Sequence, residues 1–163
     1  GWGKPVKDDE ILFEVLILES FQAGLSWFTI LKKRENFRKA FADFDVKKVA
    51  SFDETKIEEL VQNEGIIRHR GKISAAINNA KLFIDIQKEF GSFSDFIWKY
   101  VDHKPIVNNW ESIKDVPATT EISDQIAKDL KKRGFKFFGS TTIYAHMQAT
   151  GMVNDHTTDC FCK

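Results

Sequence analysis

The stretch from residue 11 to residue 38 constrains this chain most, because it places an acidic side chain at the end of a strongly apolar run. Residues 11–18 read ILFEVLIL, and Glu19 follows them directly. A carboxylate is costly to bury unless it finds a partner. Glu19 therefore either points to solvent or lies in a pocket that uses its charge, and the pattern alone leaves both readings open.

A turn and a basic helix follow this acidic position. Gly24 and Leu25 interrupt the helical pattern, and Ser26 can cap a second helix that begins with Trp27. The basic residues of this helix are Lys32, Lys33, Arg34 and Arg38. An acid, a large ring and a cationic surface so close together favour a pocket for a flat cationic base beside bound phosphates. The simpler alternative, a core tryptophan and a solvated basic face, is the more frequent outcome for each feature alone.

The composition predicts one domain over residues 1–163, with no membrane partner and a monomeric state. A chain of 163 residues can bury a sizeable core, and its 42% apolar residues are too dispersed for a membrane span. Fifteen phenylalanines predict extensive ring packing. The net charge is zero, so a polyanion would have to bind local basic patches. The two cysteines form no disulfide framework, which favours a reducing compartment and a cytoplasmic location.

Helical periodicity and capping residues predict an all-α bundle of short helices. We expect residues 104–118 to form a loop, and no segment alternates with period two over the length of a strand. Ser51 and Glu54 have the spacing of a capping box, and Thr119 or Thr120 can cap a later helix. The predicted helices cover residues 9–21, 26–41, 51–65, 71–89, a short segment from 92, 120–133 and 140–150.

A glycine-rich turn near the C-terminus, residues 131–140 (KKRGFKFFGS), lies between two predicted helices. Gly134 and Gly139 permit tight backbone geometry and close approach of another molecule. The helix that opens at Gly139 or Ser140 offers free N–H groups to a phosphate. The basic residues that would supply counter-charge are Lys131, Lys132, Arg133 and Lys136. The segment is consistent with a helix-hairpin-helix that grips the DNA backbone, and equally with an ordinary helix connection.

A second basic turn, residues 65–72 (GIIRHRGK), shifts the balance toward nucleic acid. Near the end of the chain, His156 and Cys160 lie one helical turn apart, with Cys162 close behind. An imidazole and a thiolate at this spacing can hold one side of a zinc ion, but a closed site needs four ligands. From the spacing alone, an unliganded tail is therefore the favoured interpretation.

Four segments in the same order resemble bacterial 3-methyladenine DNA glycosylase I, a family of the helix-hairpin-helix superfamily. They read QAGLSWFTILKKRENFRKAF, GIIRHRGKI, LKKRGFKFFGSTTIY and VNDHTTDC. The resemblance spans nearly the whole chain. It implies an enzyme that flips 3-methyladenine out of double-stranded DNA and hydrolyses its glycosidic bond, without lyase activity, releasing the free base.

The resemblance also implies roles for individual residues. Glu19 would hydrogen-bond the alkylated base, and Trp27 would stack on it. Gly24 and Leu25 would fill the space that the flipped nucleotide leaves. The residues of the hairpin, 131–140, would hold DNA, and His156 and Cys160 would be two ligands of a structural zinc ion.

The chain departs from this family at its start, where the family has a longer segment with two further zinc ligands and a pocket tyrosine. Near the end of the chain, this sequence and the family both differ from the superfamily. Asn154 stands at the place of the superfamily's catalytic aspartate, and Asp155 lies one residue away. Since 3-methyladenine is cationic in DNA, its glycosidic bond is already weakened and needs no such residue. The alternative function is a non-enzymatic DNA-binding module that uses the hairpin alone.

Overall fold

Helices α1 and α6 run through the centre of the molecule and carry much of its core. The computed structural model describes residues 5–22 and 27–157. Within this part the α-helices are α1 (Asp9–Gln22), α2 (Trp27–Lys32), α3 (Arg34–Ala40), α4 (Val46–Ala50), α5 (Glu54–Val61), α6 (Arg70–Phe90), α7 (Phe93–Trp98), α8 (Glu121–Lys132) and α9 (Ser140–Ala149). Short 3-10 turns cover Ala42–Phe44, Lys99–Val101 and Ile113–Asp115. The predicted all-α class is confirmed.

Local sequence signals set most helix ends. The side chains of Ser92 and Thr120 accept hydrogen bonds from the backbones of Asp95 and Ser123, so α7 and α8 begin where capping predicts. Helix α6 ends at Gly91, which has a φ of +90° that glycine adopts readily. The predictions for these helices are confirmed to within one or two residues.

Two predicted helices differ from the structure. The helix expected over residues 26–41 is divided into α2 and α3 at Lys33, whose φ of −95° and ψ of 0° leave the helical region. The third helix is capped by Asp53 rather than by Ser51, because the Asp53 carboxylate accepts from the Lys56 amide. Ser51 instead ends the short helix α4, which the sequence did not reveal.

The predicted loop over residues 104–118 contains a strand, which corrects the sequence interpretation. Strand β1 (Ile106–Trp110) pairs in parallel with β2 (Val153–Thr157), and Ile106 lies opposite Val153. The two strands are more than forty residues apart in sequence, and β1 contains two asparagines, which are rare in strands. Strand pairing over such a distance depends on tertiary packing, which no local pattern records.

Phenylalanine rings fill the space between α1, α6 and α7, as the composition predicts. The ring centroids of Phe83 and Phe93 stack at 4.3 Å, and Phe13 meets Phe83 edge-on at 5.2 Å. Phe21 at the end of α1 packs against Phe37 of α3 at 5.0 Å. The end of α1 is therefore rigidly held. Among the described helices, none combines the length and apolarity needed to cross a membrane.

Candidate base pocket and nucleic-acid interface

Glu19 lies one turn before the end of α1 and is buried, with only 3% of its surface exposed. Within the described part of the chain, its Oε2 atom has no hydrogen-bond partner. Burial disfavours the charged form and raises the pKa of Glu19 from 4.5 to about 7. The reading in which this side chain points to solvent is therefore wrong. A buried carboxyl that is only half ionised at neutral pH is stabilised by a ligand that is cationic or that donates a hydrogen bond.

The segment that follows Glu19 holds several predicted site residues. Gly24, Leu25 and Ser26 lie outside the described residues, and so does the side chain of Trp27, although its backbone begins α2. The predicted stacking of Trp27 on the base, and the predicted filling of the space left by the flipped nucleotide, stay predictions. Helix α2 packs against α1, which ends three residues after Glu19 at Gln22.

The basic face of α2 and α3 is partly neutralised by acidic neighbours. Arg34 donates to Glu14 of α1. Arg38 pairs with Glu35 and lies 2.8 Å from the Asp43 carboxylate. These ion pairs reduce the positive potential that the sequence pattern predicts for this surface.

The turn between α8 and α9, residues 133–139, is firmly fixed on the fold. Gly134 has a φ of +100°, which requires glycine, and its carbonyl accepts from the Asn78 side chain at 3.0 Å. The Asn79 amide forms two hydrogen bonds with the backbone of Lys136, each 3.0 Å long. Sequence reasoning missed this clamp, although two adjacent asparagines inside an amphipathic helix are a visible signal.

The helix that leaves this turn has an open N-terminus. Gly139 caps α9 without a side-chain hydrogen bond, and a Cβ atom added to it would meet no protein atom within 4 Å. Its φ of −72° does not require glycine either. The absence of a side chain therefore leaves space outside the fold, where a ligand can reach the first amides of α9.

The polar residues predicted to hold DNA at this turn divide into two groups. Lys131, Lys132 and Lys136 are exposed and form no ion pair within the described residues. Arg133 instead pairs with Glu89 at 2.7 Å. The Ser140 hydroxyl donates to Asp124 of α8 at 2.5 Å. The lysines are free to meet phosphates, whereas Arg133 and the Ser140 side chain stabilise the fold.

Asp155 in β2 is a structural centre that sequence reasoning did not identify. Its Oδ1 accepts from Asn108 and Trp110 of β1, each at 2.9 Å. Its Oδ2 accepts from Tyr144 at 2.7 Å and Gln148 at 3.0 Å, both on α9. Burial opposes ionisation, but these hydrogen bonds outweigh it and hold the pKa of Asp155 below its usual value. With both oxygens occupied, this carboxylate joins β1, β2 and α9.

His146 on α9 is fully buried, and neither ring nitrogen has a hydrogen-bond partner within the described residues. Burial lowers the pKa of His146 from 6.5 to about 4, so the ring is neutral in the folded state. Two unsatisfied buried nitrogens cost free energy relative to an apolar side chain of similar size.

We expect His146→Leu to raise the free energy of unfolding at pH 7 by about 1–2 kcal/mol. Between pH 6.5 and pH 4 the unfolded chain binds a proton that the folded ring resists, so His146 destabilises the fold as pH falls. The advantage of the variant should therefore grow by about 3 kcal/mol over this range. Urea unfolding at several pH values measures this difference. The exposed His103→Asn is the control, and a constant advantage across pH would contradict a buried neutral His146.

The predicted zinc ligands lie at the edge of the described region. The backbone of His156 belongs to β2, but its side chain and all of Cys160 are outside the description. Among the described residues, no group of three or more candidate ligands lies together. Zinc at this tail stays a prediction.

Known proteins resemble this chain over almost its entire length. A sequence profile of the family described as methyladenine glycosylase matches residues 1–163. The DNA-3-methyladenine glycosylase of Haemophilus influenzae is 52% identical over 162 residues, which cover 99% of this chain and 88% of that protein.

Solved structures give the same result. A crystal structure of 3-methyladenine DNA glycosylase I is 52% identical and has a TM-score of 0.94, with 99% of this chain and 88% of that chain covered. A variant of 3-methyladenine DNA glycosylase I, solved in complex with 3-methyladenine, is 41% identical and also has a TM-score of 0.94. That match covers 98% of this chain and 86% of the other.

Proposed function

The chain belongs to the methyladenine glycosylase family, and on that premise we propose that it removes 3-methyladenine from alkylated double-stranded DNA in base-excision repair. It is a DNA glycosylase, an N-glycosyl hydrolase whose products are the free base and an abasic site. The observation that carries the proposal is Glu19, a buried carboxylate with an unpartnered oxygen. A module that only grips DNA has no use for such a group, so the binding-module alternative ranks second.

The reaction needs little acid catalysis from the protein. In the nucleotide, 3-methyladenine carries a positive charge, which weakens the bond between its ring nitrogen and C1′ of the sugar. When that bond breaks, its electron pair moves to the base, which leaves as a neutral molecule. A water molecule forms the new C1′–O bond and loses one proton to solvent. No amine nucleophile takes part, and the enzyme is accordingly monofunctional.

Glu19 recognises the charged base in this scheme. Its carboxylate accepts hydrogen bonds from the amino edge of the ring, and the positive charge favours the ionised form of the acid. Trp27 adds stacking and a cation–π attraction of roughly 1–2 kcal/mol. Neutral adenine gains little from either contact. The charge of the damaged base is therefore what the pocket selects.

DNA binding supplies the geometry. Helices α8 and α9 and the turn between them act as a helix-hairpin-helix, in which the open start of α9 and the lysines of the turn hold phosphates. Gly24 and Leu25 fill the gap in the duplex after the nucleotide has flipped. Flipping costs a few kcal/mol and less for a damaged base, which adds to selectivity.

The proposal includes one structural zinc ion near the C-terminus. His156 and Cys160 would hold a structural ion, which contributes folding free energy rather than chemistry. The support is positional: Asp155 fixes β2 directly before His156, and β1 lies alongside. Catalysis by Glu19 does not involve this ion.

The test of the function is release of free base from duplex DNA treated with a methylating agent. We expect chromatography to show 3-methyladenine in the soluble fraction and no strand cleavage without added lyase. The free base should also bind the protein in the absence of DNA, because the pocket recognises the ring itself. Binding of duplex DNA without release of any methylated base would make the non-enzymatic module the correct function.

A further inference from the structure

The basic turn of residues 65–72 lies directly against the α8–α9 turn. The rings of His69 and Phe137 meet edge-on, with centroids 6.1 Å apart. A Cβ atom added to Gly71 would lie 3.0 Å from the His69 ring and 3.9 Å from that of Phe137. The small size of Gly71 thus permits the close approach of these rings. Two basic turns that are distant in sequence form one continuous surface.

The chain has five arginines, all within the described residues, and Arg68 differs from the other four. The other four are ion-paired: Arg34 with Glu14, Arg38 with Glu35 and Asp43, Arg70 with Glu54 and Glu58, and Arg133 with Glu89. Arg68 is exposed and makes no ion pair or side-chain hydrogen bond with any described residue. Its guanidinium is therefore available to an external anion.

The residues that follow Arg68 fix the backbone that presents it. The next residue, His69, caps α6 by accepting the Lys72 amide at Nδ1, 3.0 Å away. Arg70 is tied to Glu58 and, at 3.2 Å, to Glu54 of α5. A side chain at the tip of such a fixed turn loses less conformational freedom on binding than one on a mobile loop.

The turn that adjoins residues 65–72 carries positive charge, although the net charge of the chain is zero. Lys131 and Lys136 of the adjoining turn are exposed and unpaired within the described residues, and with Phe137 they line a groove of about 450 Å³. A planar guanidinium on one turn and unpaired lysines on the adjoining turn provide donors for the oxygens of neighbouring phosphates.

We propose that Arg68 binds a DNA backbone phosphate that neighbours the one held at the start of α9. The inference rests on the proposed function and extends the hairpin contact to a second turn and a second phosphate. The contact carries no sequence information, so it contributes equally to damaged and undamaged duplex.

Arg68→Gln tests the contact through the salt dependence of binding to undamaged duplex DNA. Each phosphate neutralised contributes about 0.9 to the slope of log affinity against log salt concentration. We expect the slope to become shallower by about 0.9. If the two proteins bind equally at 1 M salt, this change in slope lowers the affinity of the variant at 0.1 M salt about eightfold. Arg68→Lys should keep most of the slope because it keeps the charge.

Arg70→Gln is the matched control. It removes the same charge two residues further along the chain, but Arg70 is already paired with two glutamates. Its slope should equal that of the unaltered protein. An unchanged slope for Arg68→Gln, or an equal change for both variants, overturns the inference. Failure of the proposed function is a separate result, because it would appear as normal duplex binding by the unaltered protein without base release.

Discussion

We expect Glu19→Gln to lower the release of 3-methyladenine from methylated duplex DNA by about 100-fold or more and to change binding to undamaged duplex little. Glutamine keeps the shape of the side chain but cannot carry the negative charge that the cationic base needs. Loss of one preorganised electrostatic contact of this kind commonly costs a factor of 100 to 1,000. Base release under saturating enzyme and binding by fluorescence anisotropy measure the two quantities.

The pH dependence of release gives a second signature of Glu19. Only the ionised carboxylate attracts the cation, and the pKa of Glu19 is raised to about 7 by burial. The ratio kcat/KM should therefore rise with pH through about 7, and Glu19→Gln should abolish this rise. Glu10→Gln is the control, because it removes an exposed charge from the same helix. If Glu19→Gln released base as fast as the unaltered protein, the proposed role would be wrong.

We expect the same substitution to stabilise the protein above neutral pH. The folded pKa of Glu19 exceeds its unfolded value of 4.5, so its contribution to stability is complete below pH 4.5 and is lost as pH rises through 7. Ionisation of the buried acid costs about 3 kcal/mol by pH 8. Glu19→Gln should recover a part of this free energy. A gain in stability together with a loss of activity distinguishes a functional acid from a structural one.

Asp155→Ala is the substitution that we expect to destabilise the fold most. It removes the acceptor of four hydrogen bonds and leaves the donors of the half-buried Trp110 and the buried Tyr144 unpaired. Hydrogen bonds to charged groups contribute about 1.5–3 kcal/mol each and are not additive within one network. We therefore expect a loss of about 4 kcal/mol, equivalent to a decrease in Tm of about 10 °C for a chain of this size.

Thermal unfolding of a matched set of variants checks this prediction. Asp85→Ala removes an exposed aspartate and should change the Tm little. Asp155→Asn should lie between the two, because an amide keeps one acceptor oxygen of two. Folded Asp155→Asn protein should still release base at low temperature, since the carboxylate is occupied by structural contacts. Loss of release from a folded variant would instead assign Asp155 a role in the chemistry.

The sequence predicted the helical class and most helix boundaries correctly because these features depend on local interactions. The capping side chains of Ser92 and Thr120 act within three residues, and the apolar stripe of α6 repeats at the helical period. Glu19 was identified for a similar reason. A carboxylate at the end of an apolar run is conspicuous in the sequence, and the structure decides only that it is buried.

Features that depend on distant segments were not predictable from local patterns. The β1–β2 ladder, the bonds from β1 to Asp155 and the hydrogen bonds between Asn79 and Lys136 each join residues more than forty positions apart. Nor does the sequence show which basic residues form ion pairs in the folded protein. Ion pairs formed in the folded state occupy Arg38, Arg70 and Arg133 and leave Arg68 exposed.

The sequence by itself determined the helical class, most helix boundaries, the acid at the end of the apolar run and the two basic segments. All of these depend on residue type and short spacing, which the chain displays directly. The tertiary structure alone decided which charges remain available and that residues 65–72 and the α8–α9 turn share one surface. The physical reason is that ion pairing and surface continuity depend on distances between segments, and folding sets those distances.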